Sequence, residues 1–424
     1  MEEVYDSLVI GSGVAGLITA LEISPDKKVL LVTKKNLEDS NSYLAQGGIC
    51  VLKSEEDRQS FIEDTMKAGH YENDPKAVEI LVDESGAAIE TLIGYSVPFN
   101  KEGGDLALTK EGGHSTNRIA FCQDRTGKFI MDSLIKEIRK RKNIEIREGC
   151  SCKNLLIKDG QAYGALLDDK DEYLVYAETT VLATGGLGGL FKNTTNFRHI
   201  CGDGIAMAIE NDIDLRDISY IQIHPTAFYD SQAERKFLIS ESVRGEGAVL
   251  LNHDHKRFTD ELKPRDIVTK AILSEMEREK VDHEFLDFSP IKIDIDVRFP
   301  NIVSHIQEKN IDPHTEPVPI VPAYHYTMGG IRVDYQGHTS IKNLYAVGEV
   351  SSTGVHGKNR LASNSLLEAV VYGKRVAADI SLKRDKKIVK VKSYAIDFFK
   401  AKVRILERIE KDEKDKTERI SNKR

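Results

Sequence analysis

The 424-residue sequence predicts an α/β protein, and two observations carry this prediction. The β-rich residues 4–10 run into the glycine-rich turn 11–16, and a helical pattern and a second strand follow, which makes a βαβ unit. Two later β-rich segments also end in glycine turns, at 183–186 and 346–349. About 110 residues between these turns, dense in Pro, His and Arg, predict an inserted domain. The expected fold is therefore a discontinuous Rossmann-like domain with an inserted α+β domain and a short C-terminal helix.

The other elements follow from apolar spacing and from capping residues. Helical spacing and β-rich composition predict helices over 76–93 and 128–142 and strands at 144–146 and 174–183. Asp74 and Pro75 supply a cap and a first-turn proline for the earlier helix. Residues 41–51 are rich in Gly, Ser and Asn, so no regular element is expected there.

The C-terminal region is predicted to be one amphipathic helix followed by a charged tail. Its apolar residues recur at spacings of three and four, which predicts that they pack as one face. These residues are Ile396, Phe399, Val403, Leu406 and Ile409. Residues 411–424 are almost wholly charged and are expected to fray. The predicted domains are 1–215 with 329–385 for the nucleotide domain, 216–328 for the inserted domain, and 386–424 for the C-terminal region.

Composition excludes several classes of function. The chain has 68 acidic and 60 basic residues, a formal charge of −8, which argues against a nucleic-acid or anionic-membrane surface. No apolar run approaches the ~20 residues that span a bilayer, so we expect a cytoplasmic protein without a membrane partner. The five scattered cysteines argue against a disulfide framework. Cys150 and Cys152 form a lone C-x-C without nearby partners, so no metal site is expected.

The first glycine turn has the pattern G-x-G-x-x-G of a nucleotide site. After a strand and at the start of a helix, it directs backbone N–H groups and the positive helix end at a pyrophosphate. The candidate residues are Gly11, Ser12, Gly13, Val14, Ala15 and Gly16. The second turn, Ala183-Thr184-Gly185, is expected to face the same nucleotide. Thr33 and Lys34 stand where generic NAD-binding sequences carry an acid, which weakens an NAD assignment.

Four further motifs carry a family resemblance. They are Ser42-Tyr43-Leu44-Ala45-Gln46-Gly47-Gly48, Asp203 in C-G-D-G, Ala346-Val347-Gly348-Glu349, and Ser363-Asn364-Ser365-Leu366. Together they resemble the FAD-binding domain of the succinate dehydrogenase, fumarate reductase and L-aspartate oxidase flavoprotein superfamily. The resemblance covers nearly the whole chain to residue 380 and implies that the inserted domain is a capping domain.

The resemblance implies FAD as the cofactor. It implies that Glu349 holds the FAD ribose, that Thr33 with Lys34 replaces the usual acid, and that Ser365 with Leu366 lies beside the isoalloxazine. Pairing with a helix dipole is the alternative for Glu349. Respiratory members link FAD covalently through a histidine where this chain has Asn41, so non-covalent FAD is expected.

Four polar motifs in or beside the inserted domain supply two histidines and two arginines. They are Ile223-His224-Pro225-Thr226, Pro264-Arg265-Asp266, Tyr324-His325-Tyr326-Thr327-Met328-Gly329-Gly330, and Gly357-Lys358-Asn359-Arg360. Arginine forks bind planar carboxylates through paired charge-assisted bonds, and histidine adds a directed donor. Singly, each residue suits a surface salt bridge or a satisfied polar histidine. Jointly they predict a dicarboxylate site.

The resemblance assigns roles within this cluster. It implies that all four residues line the site between flavin and capping domain and that Arg265 exchanges a proton with the substrate. An arginine has a pKa above ~12 and acts in this way only when desolvated near other positive charge. Arg244 and Glu246 match a family segment that relays a proton toward Arg265, and a salt-bridged packing role is equally open.

Glu111 is the residue that predicts whether the site prefers an amino diacid or a plain dicarboxylate. Dicarboxylate dehydrogenases of the superfamily show a phenylalanine before the paired glycines, where this chain has Glu111. A carboxylate near the substrate is the simplest device for holding an α-ammonium group, so an amino diacid is predicted. Lys110 adjoins it, and a solvated loop charge is the alternative.

The expected reaction is a two-electron oxidation of L-aspartate to iminoaspartate. Arg360, His224 and His325 would hold the carboxylates, and Glu111 would hold the ammonium group. The order of hydride loss from Cα and proton loss from the amine or from Cβ stays open. Oxygen or fumarate would reoxidise the flavin. Family membership would further imply transfer of iminoaspartate to quinolinate synthase in NAD biosynthesis.

Two alternatives stay open. A soluble fumarate reductase would prefer succinate or fumarate to aspartate, and a flavin-binding partner subunit or redox sensor would bind FAD without turnover. The sequence also stops soon after the FAD domain, where longer superfamily members carry a C-terminal helical bundle.

Overall fold

The computed structural model describes residues 3–383 and 389–421, with side chains as far as residue 417. The strands are β1 Glu3–Ile10, β2 Val29–Thr33, β3 Ile49–Cys50, β4 Lys101–Glu102, β5 Asp105–Leu106, β6 Leu108–Thr109, β7 Ile119–Ala120, β8 Ile144–Glu148, β9 Ser151–Lys158, β10 Gln161–Asp168, β11 Glu172–Leu182, β12 Leu215–Arg216, β13 Ile221–Phe228, β14 Val249–Leu251, β15 Glu284–Asp287, β16 Val318–Thr327, β17 Gly330–Arg332, β18 Leu344–Ala346 and β19 Ser351–Ser352. The helices are α1 Val14–Glu22, α2 Arg58–Ala68, α3 Pro75–Asp83, α4 Ser85–Gly94, α5 Thr126–Ile138, α6 Asp203–Glu210, α7 Glu241–Gly245, α8 Arg265–Glu279, α9 Ile295–Arg298, α10 Pro300–Gln307, α11 Asn364–Leu382 and α12 Phe398–Ser421. Short 3-10 turns lie at Glu55–Asp57, Gly188–Leu190 and Gly348–Val350.

The main sheet positions the predicted nucleotide site. Its order is β8-β2-β1-β11-β10-β9, and β18 pairs with the second half of β11. Strands β8, β2, β1, β11 and β18 are parallel, whereas β10 and β9 are antiparallel. Ile10 pairs with Leu182, which pairs with Ala346, so β1, β11 and β18 end at one edge. The three glycine turns predicted from the sequence meet at this edge, where α/β sheets bind their ligands.

Two glycines make the βαβ unit possible. Gly11 has a φ of +117°, and a Cβ there would overlap the carbonyl oxygen of Ala183. A Cβ on Gly16 would overlap the backbone of Gly11, so α1 approaches the end of β1 only because Gly16 has no side chain. Helix α1 is buried along most of its length and packs on α11.

Residues 221–327 build a second sheet, in the order β13-β16-β15-β14. It has its own core, formed with α7, α8, α9 and α10. The predicted boundaries at 215/216 and 328/329 fall between β12 and β13 and between β16 and β17, and they stay predictions. The predicted boundary at 385/386 lies outside the described residues.

Several predicted elements differ in the structure. The helix predicted over 76–93 is two helices, α3 and α4, that meet at Glu84. The cap predicted at its start is confirmed, because the Asp74 carboxylate accepts from the N–H groups of Lys76 and Ala77. The hairpin of β9 and β10 was not predicted, and 41–51 contains the short strand β3.

The predicted face of the C-terminal helix is right at its two ends and wrong between them, because Ile396 is buried and Ile409 packs against the core. Helix α12 buries Ala401 and Ile405, whereas the predicted residues Phe399, Val403 and Leu406 are exposed. Ala401, Ile405 and Ile409 follow one another at spacings of four and form the stripe that packs, and the three exposed residues lie beside it. The predicted fraying is also wrong as far as Ser421, where α12 ends, and residues 422–424 lie outside the described residues. Over the described ranges, no helix has the length and apolar character needed to cross a membrane.

Candidate active site

A cavity of about 420 Å³ lies at the edge of the main sheet where β1, β11 and β18 end. Its wall contains most of the predicted cofactor-binding residues: Gly11, Ser12, Gly13, Ala15, Thr33, Lys34, Asn41, Ser42, Tyr43, Leu44, Ala45, Gln46, Ala183, Thr184, Gly185, Asp203, Glu349, Ser365 and Leu366. Val14, Gly16, Gly47 and Gly48 lie outside this wall. Predicted residues from seven separate segments of the chain therefore converge on one site.

Hydroxyl groups hold the first glycine turn in place. The Ser12 and Thr33 hydroxyls lie 2.9 Å apart, and the Val14 N–H donates to Ser42 Oγ at 3.1 Å. The start of α1 is thus tied both to β2 and to the Ser42 loop. Val14 contributes to the site through this backbone bond, although its side chain is fully buried in the core.

Lys34 and Asp203, both predicted to bind the cofactor, contact each other. Lys34 Nζ lies 2.5 Å from Asp203 Oδ2 and donates to the His199 carbonyl. Both side chains line the cavity, so the pair joins β2 to the start of α6 across one end of the site.

Buried polar atoms without partners show that the cavity suits a polar ligand. Gln46 Oε1 and Thr184 Oγ1 are buried in its wall and make no hydrogen bond in the described part of the chain. Burial raises the pKa of Glu349 to about 7, and its carboxylate accepts from the Thr327 N–H at 3.0 Å. Buried polar groups are usually hydrogen-bonded, so Gln46 Oε1 and Thr184 Oγ1 are open to a bound ligand. The glycine turn, the orphaned acceptors and the acidic Glu349 together fit the pyrophosphate and hydroxyl-rich chain of FAD.

Asn41 is held by the loop that follows β11. Its amide donates to Asn196 Oδ1 at 2.8 Å and accepts from the Phe197 N–H at 3.0 Å. It lines the cavity, so the position where respiratory members carry their linking histidine faces the site here too.

The predicted dicarboxylate cluster is brought together. The rings of His224 and His325 are 5.2 Å apart, and the Arg360 guanidinium lies 4.6 Å from the centre of the Tyr326 ring. His325 and Arg360 line the cavity, whereas His224, Arg265 and Glu111 lie outside its wall. His224 Nε2 and Arg360 Nε are buried without partners in the described chain. Donors left in this state are suited to a carboxylate.

Burial and mutual repulsion set the charges in this cluster. Burial, with Arg265 and other nearby cations, lowers the pKa of His224 well below its ordinary value, and burial with Arg360 does the same for His325. Both rings are therefore neutral near pH 7. Because the Thr226 N–H donates to His224 Nδ1 at 3.2 Å, the proton of His224 sits on the unpartnered Nε2. Burial and Arg265 lower the pKa of Arg360 to about 10, which leaves it cationic.

Arg265 begins helix α8 and pairs with an acid that was not predicted. Its Nε donates to Glu241 at 2.5 Å and its Nη1 to Gln222 at 2.9 Å. Burial opposes ionisation of Glu241, but Arg265 and Arg244 outweigh it and lower the pKa of that carboxyl. Glu246 lies 3.7 Å from Arg298, which fits the salt-bridged packing role left open for it, and a relay through Glu246 stays a prediction.

Arg244 lies close to this acid. Its Nη2 is 3.8 Å from Glu241, and its Nε and Nη2 make no hydrogen bond in the described chain. Glu241 and Arg244 are three residues apart on α7, so they share a face, whereas Glu246 follows the helix. The sequence pointed to Arg244 and Glu246, but the acid that lies beside Arg244 follows only from the helix register.

Glu111 is buried, which excludes the solvated loop charge considered from the sequence. It is 5% exposed, and its carboxylate accepts from Ser242 at 2.8 Å and from Ser363 at 2.6 Å. A Cβ on Gly47 would lie 2.6 Å from Glu111 Oε1, so the A-Q-G-G glycine makes room for this carboxylate.

The chain matches the family model described as FAD binding domain over residues 6–366. The fold and the site thus define a flavoprotein of that family. An L-aspartate oxidase of Clostridium perfringens is 51% identical over 90% of this chain and 88% of its own length, and one of Nostoc is 44% identical over 88% and 67%. The chain belongs to the family of L-aspartate oxidases. The two relatives differ in length, because the match spans 88% of the Clostridium protein and 67% of the Nostoc protein.

Solved structures agree with this placement. The quinol fumarate reductase of E. coli superposes with a TM-score of 0.84 at 28% identity, covering 90% of this chain and 70% of that one. The Sdh1 complex of Mycobacterium smegmatis gives 0.79 at 31% identity, covering 92% and 71%. The FAD-binding fold with a cap is therefore shared with the succinate dehydrogenase and fumarate reductase flavoproteins.

Proposed function

We propose that this chain oxidises L-aspartate to iminoaspartate with bound FAD, and that oxygen or fumarate is the electron acceptor. The observation that carries the proposal is the buried Glu111 carboxylate, which accepts from Ser242, the neighbour of the acid Glu241 that pairs with Arg265. Two carboxylates call for cations and directed donors, and an α-ammonium group calls for an anion. The names of the relatives support the same substrate.

The chain's own residues would bind and orient the substrate. Arg360 Nε and His224 Nε2, both buried without partners in the described chain, would donate to its carboxylates, with His325 beside them. Glu111 would accept from its ammonium group. When bound, FAD supplies the two-electron acceptor.

Arg265 is the proposed acid–base group. Its guanidinium is 7% exposed and is held by Glu241 and Gln222, so its direction is set before the substrate arrives. The neighbouring Arg244 and Glu241 would pass its proton onward. Desolvation and nearby positive charge are the conditions under which an arginine exchanges a proton.

The test is reduction of the bound flavin under nitrogen with aspartate, glutamate, succinate or lactate. Aspartate should bleach the flavin absorbance fastest. Faster bleaching by succinate would instead identify a soluble fumarate reductase, which the same cluster of cations would also serve. FAD binding without bleaching by any of the four would identify a partner subunit or sensor.

We further propose that FAD is bound non-covalently. An amide at Asn41 cannot form the histidyl link, and its hydrogen bonds to the 196–197 loop fill the position. Acid precipitation should release the yellow colour into the supernatant. Colour that stays with the pellet would contradict this.

We also propose that this oxidation is the first step of NAD biosynthesis from aspartate and that the iminoaspartate then passes to quinolinate synthase. The relatives' names support this pathway. An imine hydrolyses in water, so a consuming enzyme should compete with hydrolysis. Adding quinolinate synthase together with the three-carbon co-substrate that completes the pyridine ring should divert product from oxaloacetate to quinolinate. The cytoplasmic location expected from the sequence stays a prediction.

A further inference from the structure

A buried run of hydrogen bonds lies behind Glu111, and the proposed reaction does not use it. It passes from Arg118 through His114 to the backbone carbonyl of Ala362. We infer that His114 is a positioning residue, which holds Glu111 against Ser363 and thereby sets the preference of the site for an amino diacid. This inference rests on the proposed function.

Arg118 is the rigid end of the run. Its side chain is fully buried and forms ion pairs with Asp57 at 2.9 Å and Asp64 at 2.5 Å. Asp57 ends the 3-10 turn that leads directly into α2, and Asp64 lies within α2. The guanidinium is therefore attached at two points of one continuous helical segment. Such a doubly paired arginine has little freedom to move.

The donor and acceptor roles of His114 follow from its two neighbours. A guanidinium only donates, so His114 Nδ1, 3.2 Å from Arg118 Nη1, is an acceptor. The ring proton therefore sits on Nε2, which donates to the Ala362 carbonyl at 3.1 Å. Burial lowers the pKa of His114, which favours this neutral form. Both ring nitrogens are satisfied, and the direction of the ring is set.

His114 joins the two segments that meet at Glu111. Its backbone N–H donates to the Glu111 carbonyl at 3.2 Å, while its ring holds Ala362, the residue before Ser363. Ser363 has a φ of +63°, a left-handed conformation that a serine adopts only when its surroundings impose it. In this conformation its hydroxyl reaches Glu111.

Arg360 has supports that do not involve His114. Its Nη1 donates to Ser365 at 2.8 Å, its guanidinium stacks on Tyr326, and its carbonyl accepts from Gln222 at 2.8 Å. Removing the His114 ring should therefore displace Glu111 and leave the carboxylate-binding cation in place. The expected defect is in ammonium recognition.

The experiment compares His114→Leu, His114→Gln and His305→Leu in the FAD-loaded enzyme. His305 is a half-buried histidine stacked on Phe237 in the inserted domain, and its variant is the matched control. His114→Leu should lower kcat/KM for aspartate roughly 10- to 100-fold, mainly through KM, and should lower fumarate reduction less than about threefold. His114→Gln offers one donor and one acceptor and should recover most of the loss. FAD content and the melting temperature are measured for every variant.

Each outcome supports or overturns the positioning role. Equal losses of both activities in His114→Leu, or no recovery in His114→Gln when both variants hold FAD, would make His114 a structural residue. Loss of FAD or of folding in both His114 variants would also make it a structural residue. A wild-type enzyme that fails to oxidise aspartate refutes the proposed function, and this inference with it, before any variant is compared.

Discussion

At the scale of single residues, Arg360 is the clearest binding group. It is buried, cationic, stacked on Tyr326, and left with a free Nε–H in the described chain. Arg360→Leu should therefore raise KM for the substrate at least tenfold or abolish binding, since a charge-assisted bond contributes about 1.5–3 kcal/mol. FAD content should stay near that of the wild type. Steady-state kinetics and the ratio of flavin to protein absorbance measure the two quantities, and a variant purified without FAD would show that Arg360 supports the fold.

The variant Glu111→Gln tests whether the negative charge of Glu111 is needed for aspartate but not for fumarate. It keeps size and hydrogen bonding, because the Ser242 and Ser363 hydroxyls can each turn to accept from an amide. Loss of the charge should lower kcat/KM for aspartate by roughly 10- to 150-fold, whereas fumarate has no ammonium group and its reduction should be unchanged or improved. A parallel fall in both activities would contradict ammonium binding by Glu111.

The sequence predicted residues with a strong local signal and missed those that depend on register. Glycines such as Gly11 and Gly16 are recognisable because only glycine allows their backbone geometry and close packing. Glu241 was missed in favour of Glu246, since both lie near Arg244 in sequence and only the turn of α7 separates them. Ser242 and Ser363 come from segments distant from Glu111, and although Ser363 stands in a recognised motif, no local pattern indicates that either serine meets Glu111.

At the scale of elements, capping and glycine turns were predicted well, and hairpins less so. The β9–β10 hairpin does carry a signal, Asp159-Gly160, with both residues at positive φ as a two-residue hairpin turn requires. The break between α3 and α4 carries only a weak one, Ser85-Gly86, because the apolar spacing continues across it. Tertiary packing decides such breaks.

The junction of β1 and α1 is tested by Gly16→Ala. The added methyl group would overlap the Gly11 backbone, so α1 must move from the strand end or the turn must open. Overpacking of this kind costs about 1–3 kcal/mol, and the displaced turn should bind FAD more weakly. Thermal melting and the FAD dissociation constant should both change. Gly86→Ala, which lies in α4 and meets no neighbour within 4 Å, is the matched control and should lower neither the melting temperature nor the affinity for FAD.

At the scale of the whole molecule, two independently packed regions enclose a site whose charges come from both. The carboxylate Glu111 belongs to the segment before β7, and its partner Ser242 belongs to α7 beside the second sheet. Arg265 starts α8, whereas Arg360 precedes α11. The stability of the inserted region therefore bears directly on the geometry of the site.

That stability should depend on pH through Glu284, which lies on β15 in the second sheet. Its side chain is fully buried, and both carboxylate oxygens lack partners within the described residues. Burial, reinforced by Glu279, raises its pKa to about 7 from an ordinary value of 4.5. The folded state thus prefers the neutral carboxyl. The stability that the neutral Glu284 carboxyl contributes to the folded state is fully present below pH 4.5 and is lost as the pH rises through 7.

Glu284→Gln should remove this dependence, because the amide is neutral at every pH and similar in shape. The variant should melt at a higher temperature than the wild type at pH 8, and the difference should shrink toward pH 5. Glu277→Gln, an exposed acid on α8, is the control and should follow the wild type across the range. Melting curves of the FAD-loaded proteins from pH 5 to pH 8.5 give the comparison. A Glu284→Gln curve parallel to that of the wild type would mean that Glu284 ionises in the folded state as easily as in the unfolded chain, and that the second sheet tolerates its charge.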